Sequence, residues 1–187
     1  MVIIDDRPDL HVLIGRRRPG QFVGGMIVYP GGAVDADDWV DGPRRCSGAQ
    51  APGLSADEAA GYLHAAIRES REEVGLWPDA EAVVDGARFA AVGHWITPED
   101  APRRYDTRFF LARHPGGEAR VADDELVDVW WERPETALDR LDRGDLAAIT
   151  PTISFLTALS QYRHVAGAFA GTEQGIRREY AWGVTTF

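Results

Sequence analysis

The sequence predicts an α/β fold, a sheet covered by helices, and three observations carry that expectation. Residues 56–76 read as one amphipathic helix without proline, whose apolar and acidic residues fall on different faces. Short apolar or alternating stretches recur on both sides of it, at 2–4, 10–14, 26–29, 88–96, 107–112 and 126–132. Two more helical stretches follow the last of these, each opened by a proline in its first turn.

Taken in order, Val2–Ile4 and Leu10–Ile14 flank Asp5-Asp6-Arg7-Pro8-Asp9 and read as a hairpin with proline in its turn. Arg16-Arg17-Arg18 comes next, either guarding a sheet edge against aggregation or supplying phosphate contacts. Gln21-Phe22-Val23-Gly24-Gly25 leads into Met26–Tyr29, a strand ended by Pro30-Gly31-Gly32, whose glycines let backbone groups approach a metal or phosphate closely. Trp39 to Ser55, rich in Gly, Pro and Ala, reads as a loop. Ser55 and Glu58 form a capping box, so the main helix is expected to start near Ala56, with Gly75 as its left-handed cap and Trp77-Pro78-Asp79 as its stop.

Beyond the helix, Phe89, Ala91, Gly93 and Trp95 alternate with Ala90, Val92 and His94 along a strand. Pro98 and Pro102 bracket a loop, and His114-Pro115-Gly116-Gly117 marks a turn between the next two strands. Adjacent Trp130 and Trp131 point to opposite faces; one is core, and the other either packs too or covers a base. Pro134–Leu141 and a helix opened by Thr150-Pro151-Thr152, running through Phe155, Leu156, Leu159 and Tyr162, are expected to pack on the sheet. From Gly171 periodicity is lost, which leaves open a disordered end or docking of Tyr180 and Trp182 on a second subunit as a homodimer. The expected organisation is one domain over 1–168 and a C-terminal tail over 169–187.

With 187 residues, 44% of them hydrophobic, the chain can bury one good core. A net charge of −10 argues against non-specific nucleic-acid binding, and no apolar run approaches the roughly 20 residues of a membrane span. No charged-then-apolar leader opens the sequence, and Val184-Thr185-Thr186-Phe187 is not a Ser-Lys-Leu address, so a cytoplasmic location is expected. Cys46 has no internal disulfide partner and fits a reducing compartment as an incidental thiol.

The chemistry concentrates in Arg68-Glu69-Ser70-Arg71-Glu72-Glu73-Val74-Gly75-Leu76. Leu63, Ile67 and Val74 share the core face, whereas Glu69, Glu72 and Glu73 gather on another, where like charges repel by a few tenths of a kcal/mol per pair. That patch is either a solvated face partly neutralised by Arg68 and Arg71, or a site where oxygen ligands hold Mg²⁺ or Mn²⁺.

These residues resemble the Nudix box, G-x5-E-x7-R-E-U-x-E-E-x-G-U with U aliphatic: Arg68, Glu69, Glu72, Glu73, Gly75 and Leu76 match its second half, and Tyr29-Pro30-Gly31-Gly32 followed by Asp35, Asp37 and Asp38 its first. Arg68 lies 30 positions after Asp38 where the motif has 8, an insertion of 30 − 8 = 22. Asp38 stands in place of the first glutamate and Ser70 at the aliphatic position. The insertion, with Trp95-Ile96-Thr97-Pro98 and the segment Pro102 to Phe110, is similar to the branch containing the peroxisomal coenzyme A diphosphatase.

The resemblance implies an α/β/α sandwich with a mixed, curved sheet, and a metal-dependent pyrophosphohydrolase acting on a small-molecule diphosphate, coenzyme A or an acyl derivative first, ADP-ribose or a dinucleotide second. It implies Glu69, Glu72, Glu73 and Gly32 as ligands of Mg²⁺ or Mn²⁺, the same three glutamates with Glu125 as catalytic groups, and Arg17, Arg18, Gly31 and Gly32 as substrate contacts. Glu125, shortly before a tryptophan-bearing strand, is the implied general base or extra ligand, and Arg68 is expected to pair with a helix glutamate. A non-hydrolysing nucleotide sensor is the alternative; its usual mark, loss of the helix carboxylates, is not seen here.

Overall fold

A computed structural model of the chain describes residues 1–77, 83–101, 103–174, 177–180 and 183–186, with the backbone alone for 177–180, 184 and 186. Its first two strands, β1 (Val2–Asp6) and β2 (Leu10–Arg17), pair antiparallel as the apolar stretches predict. Alternation then sorts their side chains into two cores. Val2, Ile4, Leu10, Val12 and Ile14 bury on one face of the sheet, Ile3 and Leu13 on the other.

Eight strands make the main sheet. To β1 and β2 are added β3 (Ile27–Val28), β6 (Phe89–Ile96), β7 (Asp106–Arg113), β8 (Leu126–Glu132), β9 (Arg177–Tyr180) and β10 (Gly183–Thr186). The order runs β3-β2-β1-β7-β6-β10-β9, with β8 also on β2. Among the described residues its strand pairings are antiparallel apart from β1 with β7, so this sheet is mixed. A small parallel pair stands apart from it, β4 (Cys46–Ser47) with β5 (Val84–Asp85).

Helices cover both faces, giving the α/β/α layering. On one side Phe155, Leu156 and Leu159 of α4 (Thr150–Leu159) join Ala137 of α3 (Pro134–Asp142) and Val165 and Ala168 of α5 (Val165–Gln174). On the other, Ala59, Ala60, Leu63, Ile67 and Val74 of α2 (Ala56–Val74) bury against Ile3, Leu13 and Phe110. Each large apolar side chain fully buried in this way contributes roughly 1.5–3 kcal/mol. Trp130 packs on the first core and Trp131 on the second.

Three expectations are corrected. Arg16 and Arg17 do not guard an edge: β2 pairs with β8 through Val12↔Glu132 to Arg17↔Leu126, and with β1 and β3 over the same span, so both its edges are taken. The stretch 39–55 is not merely a loop, because most of α1 (Ala36–Arg45) and β4 lie in it. Gly42 within it serves helix contact: a Cβ there would stand 2.7 Å from the backbone of Ala60 and Gly61 in α2. Trp39 meets Tyr62 edge-on, ring centroids 5.2 Å apart. Gly42→Val is expected to lower stability by about 2–3 kcal/mol in urea unfolding, since backbone cannot yield as a side-chain tip can.

The third correction concerns the tail at 169–187. Helix α5 runs through its start, and β9 and β10 form an antiparallel pair that joins the sheet through Gly183↔Trp95 and Thr185↔Gly93. Thr185 is buried and shares a 2.8 Å hydroxyl hydrogen bond with Ser154 of α4. Strands this short carry too little alternation to be recognised without their partner. Pro78, Asp79, Pro102, Trp182 and the side chain of Tyr180 lie outside the described residues. Among the described residues no helix is long and apolar enough to cross a membrane.

Candidate active site

Helix α2 starts and stops where its caps dictate. Ser55 Oγ accepts from the Glu58 N–H at 3.3 Å, Glu58 accepts from the Ser55 N–H at 2.8 Å, and Gly75 ends the helix at φ 71°. Ser70, at the motif's aliphatic position, is fully buried, and its hydroxyl is satisfied by the Ala66 carbonyl at 2.7 Å. The helix is thereby fixed with its acids beside the glycine turn that follows β3.

At that turn the Gly31 N–H donates to Glu73 Oε2 at 2.9 Å. A Cβ at Gly32 would stand 2.5–2.7 Å from the Glu69 carboxylate, so glycine is what allows the contact. The three glutamates differ in environment. Glu73 is 1% exposed, and burial pushes its carboxyl up to about 7, opposed by the Gly31 hydrogen bond and reinforced by the charge of Glu69. Burial also raises Glu69, against the pull of Arg68. Glu72 is largely open to solvent.

Arg68 organises the acids around it. Its Nη1 donates to Glu69 Oε1 at 2.8 Å and Glu72 Oε2 at 3.1 Å, and its Nη2 to the Ala33 carbonyl at 2.9 Å and Asp38 Oδ2 at 2.9 Å. Its Nε reaches Asp38 Oδ1 at 3.2 Å. Asp38 is buried in the first turn of α1 and also holds His64 Nδ1 at 2.7 Å. Burial pushes the Asp38 carboxyl up, but hydrogen bonds from Arg68, the Asp35 N–H and His64 outweigh it and hold it below the usual carboxylate range. Sequence reasoning missed His64, although it lies four residues before Arg68 on the same side of α2.

The arginines after β2 turn toward acids. Arg17 Nη2 lies 2.6 Å from Glu125 Oε2, and its Nη1 lies 3.7 Å from Glu73 Oε1. Arg18 Nε donates to the Asp124 carbonyl at 2.6 Å, and the Arg18 N–H to the Glu125 carbonyl at 2.9 Å. Glu125 is further fixed by its own N–H to Asp123 Oδ1 at 2.9 Å. The structure thus brings together Glu69, Glu73, Gly31, Gly32, Arg17 and Glu125, with Glu72 and Arg18 at the rim. Cys46 stands apart, buried and free, its thiol pushed up to about 12 by burial and so unreactive.

The donor set suits a hard divalent cation: carboxylate oxygens on a rigid helix, and one of them, Glu73 Oε1, buried with no hydrogen-bond partner. Among the described residues no three acidic, histidine or cysteine side chains yet converge as a metal-holding group. Arg68 spans Glu69 and Glu72, and Arg17 spans Glu73 and Glu125.

No family model matches the sequence. It is 27% identical over 182 residues to the Caenorhabditis elegans protein named "Putative nudix hydrolase 7", covering 81% of this chain and 56% of that protein. The chain thus spans little more than half the length of that curated relative. The crystal structure of a NUDIX hydrolase from Alicyclobacillus acidocaldarius superposes with a TM-score of 0.78 at 28% identity, covering 90% of this chain and 92% of that one. In sequence and in fold the chain is similar to Nudix hydrolases. Between Asp38 and Arg68 lie most of α1, β4 and the first three turns of α2, so the two halves of the Nudix-like motif meet only in space.

Proposed function

We propose that this chain is a metal-dependent Nudix pyrophosphohydrolase that cleaves the diphosphate of a nucleoside diphosphate linked to another moiety. The observation that carries it is Glu73, buried against the Gly31 N–H with its second oxygen unpartnered, beside Glu69 packed on Gly32. Isolated in this way, a buried carboxylate is costly; facing a cation it is useful. Glu69, Glu72 and Glu73, with the backbone of Gly32, would hold Mg²⁺ or Mn²⁺, which when bound supplies charge neutralisation for the diphosphate and an acidified water.

The chain's own groups do the rest. Arg17 and Arg18 lie within reach of the rim to bind phosphate oxygens, and the turn at Gly31 and Gly32 lets the substrate come close to backbone. Glu125, fixed by Asp123 and half exposed, takes the proton of an attacking water in this reading. Arg68, committed to Asp38, Glu69 and Glu72, orients carboxylates and does not reach for substrate.

Coenzyme A or an acyl derivative is the first substrate of this proposal, supported by the long insertion, by Trp95-Ile96-Thr97-Pro98 and by the segment Pro102 to Phe110; ADP-ribose or a dinucleotide is the second. The Phe22 and Tyr105 rings, 5.1 Å apart with Arg103 over Tyr105, offer an aromatic surface that suits a nucleobase. Incubation with Mg²⁺ or Mn²⁺ and a panel of coenzyme A, ADP-ribose, NADH and diadenosine polyphosphates, followed by mass identification of products, is expected to show cleavage between the two phosphates. An inactive panel with one compound still tightly bound would replace the enzyme by a nucleotide sensor.

A further inference from the structure

The two arginines among the site's acids are held very differently. Arg68 is saturated, with partners on both terminal nitrogens and on Nε. Arg17 makes one short contact, to a carboxylate that is half exposed, and one loose contact at 3.7 Å to Glu73. Its Nε and the facing Glu73 Oε1 are both buried without a hydrogen-bond partner. Arg17 ends its run in β2 where the register with β8 shifts, and its side chain is only 22% exposed, so water cannot readily make up the missing bonds.

This is the geometry of a stand-in cation. Two carboxylates separated by one guanidinium satisfy each other incompletely, and a divalent ion with oxygen-ligand preference satisfies Glu73 better. A guanidinium freed at that point has a planar fork of donors beside the place where a diphosphate must lie. Resting on the hydrolase reading above, we propose that Arg17 and the divalent cation compete for Glu73, and that the guanidinium, drawn off Glu73 and Glu125, then binds the substrate's diphosphate oxygens. Metal and diphosphate are thereby coupled: each favours the same displaced position of Arg17, and the coupling is reciprocal.

Mn²⁺ binding to the full chain, measured by titration calorimetry without substrate, tests the first half. Arg17→Ala is expected to tighten Mn²⁺ at least about tenfold, the equivalent of one charge-assisted hydrogen bond that no longer has to be broken. Arg17→Lys, which keeps the charge but cannot span two carboxylates, should tighten it by about threefold. Arg16→Ala is the control for net charge, because Arg16 precedes it on the opposite face of β2, over the Trp130 ring, and should stay within about twofold of wild type. Unchanged or weaker Mn²⁺ binding in Arg17→Ala, or equal tightening in Arg16→Ala, overturns the competition.

The second half uses methylenediphosphonate, a diphosphate that cannot be hydrolysed, at saturating Mn²⁺. Arg17→Ala should weaken its binding at least about tenfold, and unaltered affinity overturns the transfer to phosphate. Loss of the hydrolase reading looks different: none of the proteins, wild type included, would bind Mn²⁺, and the inference would fall with it.

Discussion

Glu73→Gln is expected to cut metal-dependent turnover at least about a hundredfold while making the metal-free protein more stable at neutral pH and above. The two effects have one source. Gln keeps the shape and can still accept the Gly31 hydrogen bond, but it offers no charge to a cation. It also removes the cost of burying that charge. The Glu73 carboxyl, ordinarily at 4.5, is pushed up to about 7 by burial, so the folded state holds its proton more tightly than the unfolded chain.

The sign follows from which state binds more protons. Below about 4.5 both states are protonated and Glu73 imposes no penalty; as pH rises through about 7 the folded protein must ionise a buried group and loses stability. At about 1.4 kcal/mol per pKa unit the loss is about 3 kcal/mol. Denaturant unfolding in EDTA across pH 4–8 should therefore show wild type falling relative to Glu73→Gln over that window and levelling off above it. Parallel curves would show that the carboxylate is better solvated than its 1% exposure implies.

Asp38→Ala should destabilise the protein by about 3 kcal/mol and depress turnover with it, although Asp38 is not assigned to substrate or metal. The substitution leaves Arg68 without two of its hydrogen bonds and His64 without its 2.7 Å partner, and removes the bond from the Asp35 N–H at the start of α1. Arg68 keeps Glu69, Glu72 and the Ala33 carbonyl, which holds the cost at the low end for a broken buried pair. The activity loss arises because Glu69 then follows an arginine whose other anchor is gone. Asp38 is held below the usual carboxylate range, so its contribution is present above that range and lost as pH falls through the lowered value. Urea unfolding at pH 7, with kcat measured on the same preparations, checks both effects.

What was legible in the sequence was local. The caps at Ser55, Glu58 and Gly75, the apolar stripe of Leu63, Ile67 and Val74, and the alternation along β1, β2 and β6 each depend on neighbours within a few residues. The acidic face was only half legible: helical spacing groups Glu69, Glu72 and Glu73, but which of them is buried depends on the glycine turn some 40 residues earlier. Arg17 illustrates the same limit, since its carboxylate partners lie 56 and 108 positions away. At Gly42 composition misled, because glycine marks a loop in a linear reading and a helix crossing in the folded one; β10 went unrecognised because its partners, β6 and β9, are what make four residues a strand.

Helix α1 carries Asp38 in its first turn and continues without a break through Gly42 into contact with α2. The graft is therefore seamless on its upstream side: no slack separates the motif's acid from the extra segment, and any lengthening or trimming there is transmitted as a rotation of Asp38 about the helix axis. Swapping this module between relatives would succeed only with a joint placed after the helix and after β4, between Gln50 and Ser55, where no strand pairing has to be kept.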